Sequence, residues 1–158
     1  MRFISHRGNL SGPDRCYEND PGYIDHAISI GYDVEIDVRI YNSEIYLGHD
    51  YPHHKIDIDW LLARKDKLWT HCKDTVSLSL FNKCYSDLIY FTHDSDIATL
   101  TSNGVIWAYP SINIIDNSIH VLPELNFDES NANKLSTCFG ICSDYITKYE
   151  VILNESFR

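Results

Sequence analysis

The sequence predicts an α/β fold: a compact barrel of parallel strands in which several helices are shortened or lost. Strand and helix patterns alternate along the chain, which favours a parallel sheet with helices outside it. Several connections, residues 111–118 most clearly, are too short for a full helix, which favours a closed barrel over an open sheet. No glycine-rich phosphate loop follows the first strand pattern. We therefore expect a single barrel domain over residues 1–158.

The strand patterns are short runs of apolar and β-branched residues. The clearest, YDVEIDVRIY (32–41), alternates apolar with charged side chains, as a strand with two different faces does. The predicted strands, roughly seven in number, are RFISH (2–6), YDVEIDVRIY with its extension SEIYLGHD (43–50), LWTHCKD (68–74), DLIYFTHD (87–94), VIWAYPS (105–111), IHVLPEL (119–125) and GICSDYIT (140–147).

The helix patterns begin at proline or at a side chain that can cap a helix, and several end at glycine. The second of them is expected to be capped by Asp57 or Asp59. The predicted helices are DPGYIDHAISIGY (20–32), DIDWLLARKDK (57–67), TVSLSLFNKC (75–84) and SDIATLTSNG (95–104), with one more helical turn within NFDESNANKLSTCFG (126–140).

Composition limits the function. The formal net charge of −10 argues against a nucleic-acid surface and against adhesion to anionic membranes. No apolar run approaches the ~20 residues that a membrane helix needs, and the first residues lack the apolar core of a signal peptide. Five cysteines at unrelated spacings favour a reducing cytoplasm over a disulfide framework. An acidic protein that handles a phosphate would need a metal ion or a local basic pocket.

Polar side chains recur at the carboxyl ends of the predicted strands. In a parallel barrel these ends meet at one mouth, where the active site forms. The side chains are His6 and Arg7, Glu35 and Asp37, His49 and Asp50, His71 and Lys73, and His93 and Asp94.

Each of these residues also has an interpretation without function. Glu35 and Asp37 alternate with apolar residues and could form a solvated strand face, but a barrel strand leaves no wet face, so we expect a site for a hard cation. A lone His6 would be a structural histidine, and its neighbours Arg7 and Gly8 favour a functional one. Surface or structural roles are expected for His26, His53, His54 and His120.

The ordered set HRGN (6–9), YEND (17–20), GYDVEIDVRI (31–40) and GHD (48–50) resembles the N-terminal signature of the glycerophosphodiester phosphodiesterases. That family belongs to the phosphatidylinositol-phospholipase-C-like superfamily of TIM-type barrels. The resemblance implies a trimmed TIM-type (β/α) barrel and a metal-dependent phosphoric diester hydrolase of lipid metabolism, with a small-molecule phosphodiester as substrate. In the family, the substrate's own neighbouring hydroxyl is thought to attack and give a cyclic phosphate.

The resemblance also implies roles for single residues. His6 and His49 would be the general acid–base pair, and Arg7 and Lys73 would contact the phosphate. The implied ligands of a divalent Mg²⁺, Ca²⁺ or Mn²⁺ ion are Glu18, Glu35, Asp37 and His71. The residues that would line the pocket are Asn19, His93 and Trp107.

Two departures from the family leave alternatives open. His71 stands where the family has a glutamate, and imidazole suits later transition metals better than Ca²⁺. The chain is also shorter than the ~200 residues of the smallest usual (β/α)₈ barrels, so strands without helices could be covered in a homo-oligomer. The alternatives are a non-catalytic barrel that binds a phosphorylated ligand, or a phosphodiesterase for a glycan- or lysolipid-linked glycerophosphoryl group.

Overall fold

The computed structural model describes residues 1–110, 114–126 and 134–156. Within them, ten strands form one mixed sheet that curves into a half-barrel, and four short α-helices accompany it. The strands are β1 (Arg2–His6), β2 (Asp33–Tyr41), β3 (Glu44–Leu47), β4 (His54–Ile56), β5 (Leu68–Cys72), β6 (Tyr90–Phe91), β7 (Ala98–Leu100), β8 (Ile106–Ala108), β9 (Ser118–Val121) and β10 (Gly140–Ser143). The helices are α1 (Pro21–Ser29), α2 (Ile58–Leu62), α3 (Thr75–Cys84) and α4 (Ile146–Ser156), with a 3₁₀ turn at Pro123–Leu125.

A run of parallel strands forms the centre of the sheet. In the order β6–β5–β2–β1–β10–β9–β8, every neighbouring pair is parallel. Antiparallel strands extend this run: β3 pairs with residues 38–41 at the end of β2, β4 pairs with β3, and β7 pairs with β8. The carboxyl ends of the parallel strands consequently lie at one edge of the curved sheet, which is where ligand sites form in parallel sheets.

The predicted TIM-type (β/α) barrel is wrong. The sheet is mixed and forms a half-barrel, and helices do not alternate with strands around it. Helices α1, α2 and α3 lie between strands only in the first half of the chain, where β2, β3 and β4 already follow one another; in the described residues, β6, β7, β8 and β9 then follow one another with no α-helix between them. Residues 101–105 are the whole connection between β7 and β8, and these two strands form an antiparallel hairpin.

The clearest local error is the predicted helix SDIATLTSNG (95–104), which contains strand β7 instead. Its β-branched residues Ile97, Thr99 and Thr101 stand at alternate positions, the spacing that a strand favours. The Thr101 hydroxyl donates to the Val105 carbonyl at 2.7 Å and closes the turn into β8. A left-handed φ of 84° at Gly104 completes that turn. Side-chain branching therefore outweighed the capping signal at the start of this segment.

The C-terminal predictions are partly corrected. The predicted strand 140–147 ends at Ser143, and the unpredicted helix α4 begins at Ile146. The helical turn predicted within 126–140 falls largely on 127–133, outside the described residues, although residues 134–137 form a 3₁₀ turn.

The two faces of β2 are both buried, but they differ in chemistry. Val34, Ile36 and Val38 belong to the apolar cluster that α1 and α3 cover. Glu35 and Asp37 lie on the other face, with only 2% and 0% of their surface exposed. These values exclude the solvated strand face as the explanation of the two carboxylates. A second apolar cluster, with Trp107 at its centre, fills the sheet's inner side beneath them.

Candidate active site

Most of the predicted site residues face one small cavity at the carboxyl edge of the sheet. The cavity has a volume of about 180 Å³, less than the ~300 Å³ of a typical ligand pocket. The predicted residues that line it are His6, Arg7, Glu35, His49, His71, Lys73, His93 and Trp107. A second, more open cavity of about 720 Å³ shares His6, Arg7 and His49 with the first. It also contacts Glu18 and Asn19.

His6 is held by a carboxylate from the far end of the chain. Its Nδ1 lies 2.7 Å from Oδ1 of Asp144, just after β10, and the Asn9 amide donates to the same oxygen at 2.8 Å. Burial lowers the pKa of His6, but the hydrogen bond to Asp144 and the charge of Glu35 together raise it by more, so the net shift is upward. The Nδ1 contact leaves Nε2, 3.8 Å from Glu35 Oε2, as the ring nitrogen on the cavity side.

His49 has the same pattern of partners. Its Nδ1 lies 2.7 Å from Asp50 Oδ1, and its Nε2 lies 3.2 Å from the Lys73 ammonium. Lys73 can only donate, so Nε2 is the acceptor and the ring proton is on Nδ1. Gly48 has a φ of 144°, and a Cβ there would lie 2.1 Å from the Tyr51 carbonyl oxygen, so the turn that presents His49 requires glycine.

Glu35, Asp37 and His71 form the one compact group of metal-ligating side chains among the described residues. A ligand atom from each lies within 4.8 Å of the others. His71 Nδ1 is 3.3 Å from Asp37 Oδ1 and 3.6 Å from Glu35 Oε1. Burial lowers the pKa of His71, but the two carboxylates raise it to about 9. Without a metal, an imidazolium therefore balances this cluster.

Two observations indicate that the cluster fits a divalent cation. Glu35 Oε2 is buried and accepts no hydrogen bond from the described residues, which is costly unless something else satisfies it. Asp37 Oδ1 is also buried, and His71 Nδ1 lies 3.3 Å from it without a well-formed hydrogen bond. His71 Nε2 lies 3.3 Å from the His93 carbonyl, which can only accept. In the neutral ring, Nδ1 would then present its lone pair to the space between the carboxylates.

Glu18 and Asn19 hold other site residues rather than joining this cluster. Glu18 Oε2 accepts from Arg7 Nη1 at 3.1 Å. Asn19 donates to Asp37 Oδ2 and accepts from the Asp37 backbone N–H, both at 2.9 Å. Arg7 Nε also lies 2.9 Å from Asp37 Oδ2. Arg7 is thus fixed between two carboxylates. Burial raises the pKa of Asp37, but His71, Arg7 and Asn19 together hold it well below the usual range, so Asp37 is an anion.

Aromatic rings form the remaining wall. His93 stacks on Tyr109 with ring centroids 3.5 Å apart, and Trp107 stacks on Phe91 at 4.5 Å. Burial lowers the pKa of His93, and the cations of His71 and Lys73 lower it further. A neutral His93 beside Tyr109 gives the small cavity one flat wall that carries no charge.

Asp144 is the main functional candidate that the sequence prediction missed. It follows the end of β10 just as His6, His71 and His93 end or follow their strands, so the same strand-end rule would have found it. Of the histidines predicted to lack function, His26 is exposed, His120 is buried in β9, and His53 contacts the larger cavity.

Comparison with known proteins finds no match. No protein-family model matches the chain, no curated protein matches it, and no solved structure matches its fold. In the described residues, no helix has the length and apolar character needed to cross a membrane. All five cysteines are free thiols. Function must accordingly be argued from the site itself.

Proposed function

We propose that the protein is a metal-dependent phosphodiesterase that cleaves a glycerophosphodiester-type substrate, as its resemblance to the glycerophosphodiester phosphodiesterases implies. One observation carries the proposal. Two histidines, each with Nδ1 on an aspartate, share a cavity with a lysine and with Glu35 and His71 of the buried candidate metal cluster. The absence of a disulfide-like cysteine pattern favours the cytoplasm as its compartment.

The two histidines supply the proton transfers. As an oxygen nucleophile bonds to phosphorus, one Nε2 accepts its proton; as the P–O bond to the leaving alkoxide breaks, the other Nε2 donates one. Asp144 and Asp50 hold the Nδ1 protons, which orients both rings and leaves Nε2 for this exchange. Lys73, 3.2 Å from His49, is placed to neutralise a phosphate oxygen beside that ring.

Glu35, Asp37 and His71 would hold the divalent ion. When bound there, it would stabilise the negative charge that develops on the phosphoryl oxygens. Arg7 orients Asp37 through their ion pair, and Asn19 fixes the same carboxylate from the other side. The site thereby reconciles an anionic substrate with a net charge of −10.

Turnover of a chromogenic phosphodiester, with and without a chelator, tests the proposal. We expect hydrolysis that EDTA abolishes and that added Mg²⁺, Ca²⁺ or Mn²⁺ restores. Glycerophosphocholine and a lysophospholipid would then distinguish the substrate classes. The absence of turnover with every metal, together with calorimetric binding of glycerol 3-phosphate, would instead support a non-catalytic binding protein.

His71→Glu is expected to change which metal binds. An imidazole ligand favours Mn²⁺ or Zn²⁺ over Ca²⁺, whereas a third carboxylate favours the hard cations Mg²⁺ and Ca²⁺. Calorimetric titration should therefore rank Mn²⁺ or Zn²⁺ first in the wild type and move Ca²⁺ or Mg²⁺ upward in the variant.

His53→Glu is the matched control for this substitution, because it makes the same change at the larger cavity, away from the cluster. It should leave the metal ranking as in the wild type. If His71→Glu also leaves the ranking unchanged, His71 is not a ligand and only packs on Phe91, with which it stacks at 4.9 Å.

A further inference from the structure

Glu124 lies behind the carboxylate that holds His6. One of its oxygens accepts the Asp144 backbone N–H at 2.9 Å, and the other accepts the Ser143 hydroxyl at 2.9 Å. The Ser143 oxygen in turn accepts the Tyr145 N–H at 2.9 Å. Both carboxylate oxygens of Glu124 therefore accept hydrogen bonds from one turn, the turn after β10 that contains Asp144.

The backbone before Glu124 has an unusual conformation that ties it to β10. Leu122 has φ 46° and ψ 54°, a left-handed conformation that is strained for a leucine. Its N–H donates to the Cys142 carbonyl at 2.7 Å, which ties it to the end of β10. Pro123 then starts the 3₁₀ turn that contains Glu124. Strain of this kind persists where the surrounding structure requires it, and such positions cluster at functional sites.

We propose that Glu124 is a positioning residue for His6, acting through Asp144; the catalytic part of this inference rests on the proposed phosphodiesterase function. Glu124 fixes the backbone N–H of Asp144, and with it the direction of the Asp144 carboxylate. That carboxylate sets the orientation of the His6 ring through Nδ1, 2.7 Å away. Glu124 itself does not line the small cavity.

The chain offers variants that separate this role from simple stabilisation. Glu124→Gln keeps an acceptor for the Asp144 N–H and can donate to the Ser143 oxygen, so the turn is retained. Glu124→Ala removes both acceptors, and Ser143→Ala removes only one link. Glu150→Ala is the control, because Glu150 also accepts a hydrogen bond, from Tyr32, but lies away from the cavity.

The experiment combines steady-state kinetics with proton NMR of the ring proton on His6 Nδ1, assigned by its absence from His6→Ala. In Glu124→Ala we expect kcat to fall by about 10–10²-fold, since misplacing a catalytic group by ~1 Å costs up to 10². KM should change little and the ring-proton resonance should be lost. Glu124→Gln should restore both, Ser143→Ala should be intermediate, and Glu150→Ala should change neither.

The outcomes separate the two proposals. If wild-type protein turns over no phosphodiester, the proposed function fails, and loss of the resonance in Glu124→Ala still supports positioning by Glu124. If Glu124→Ala keeps both kcat and the resonance, the positioning role is overturned. If Glu124→Ala does not fold, the same two readouts in Ser143→Ala decide, and an unchanged resonance there overturns the proposal.

Discussion

Replacing His6 by alanine is expected to lower kcat by about 10²–10⁴-fold, the usual cost of losing one acid–base group, with little change in the melting temperature. The ring supplies Nε2 to the cavity, while Asp144 keeps a second partner in Asn9 after the substitution. His49→Ala should give a loss of the same size, and its effect on the fold should be smaller still because His49 lies on an exposed turn. Initial rates on a chromogenic phosphodiester measure both.

The double variant provides the sharper test. Residues that act as one unit are not additive, so His6→Ala with His49→Ala should be little worse than either single variant. His26→Ala, on the exposed face of α1, is the matched control and should keep full activity. Near-normal kcat in both single variants would show that neither ring transfers a proton.

The sequence predicts those parts of the fold that short-range patterns determine. Strand β2 follows from its alternation, and helix α1 from the proline at its start and the glycine after it; the structure adds Asp20 as the cap, which accepts from the N–H groups of Gly22 and Tyr23. The closed barrel does not follow, because closure needs a ladder between β6 and β8, and no short-range pattern in residues 90–108 indicates whether these two strands pair. In the described residues, the Ser102 N–H donates to the Tyr90 carbonyl and so joins the β7–β8 turn to β6, but no ladder pairs β6 with β8.

The candidate site is predicted better than the fold around it. The rule that polar residues at parallel strand ends converge needs only the parallel strands, which the half-barrel retains. It consequently brings His6, Glu35 and His71 together although the predicted barrel is wrong. The sequence does not indicate which side chains pair: the Asp144 contact with His6 spans 138 positions, and Glu18 pairs with Arg7 instead of joining Glu35, Asp37 and His71.

Replacing Asp37 by asparagine is expected to lower the free energy of unfolding of the metal-free protein by about 3–5 kcal/mol, the usual cost of breaking a buried ion pair from one side. Asp37 is fully buried and is the shared anion of Arg7 and His71. In the metal-free protein, Arg7 and His71 therefore balance the charge of the two carboxylates. Removing the charge of Asp37 leaves the partly buried Arg7 guanidinium without this ion pair. Urea unfolding of chelated protein measures the loss.

Asp33→Asn is the matched control because Asp33 is also buried on β2, where it pairs with Lys67 at 3.0 Å, but it is the first residue of the strand and lies outside the Glu35–Asp37–His71 cluster. Both variants should lose stability, and only Asp37→Asn should also lose the metal, as measured by elemental analysis and calorimetric titration. Wild-type metal affinity in Asp37→Asn would remove Asp37 from the ligand set. Unchanged stability there would mean that Arg7 is satisfied by Glu18 alone, because Glu18 also lies 3.1 Å from the guanidinium.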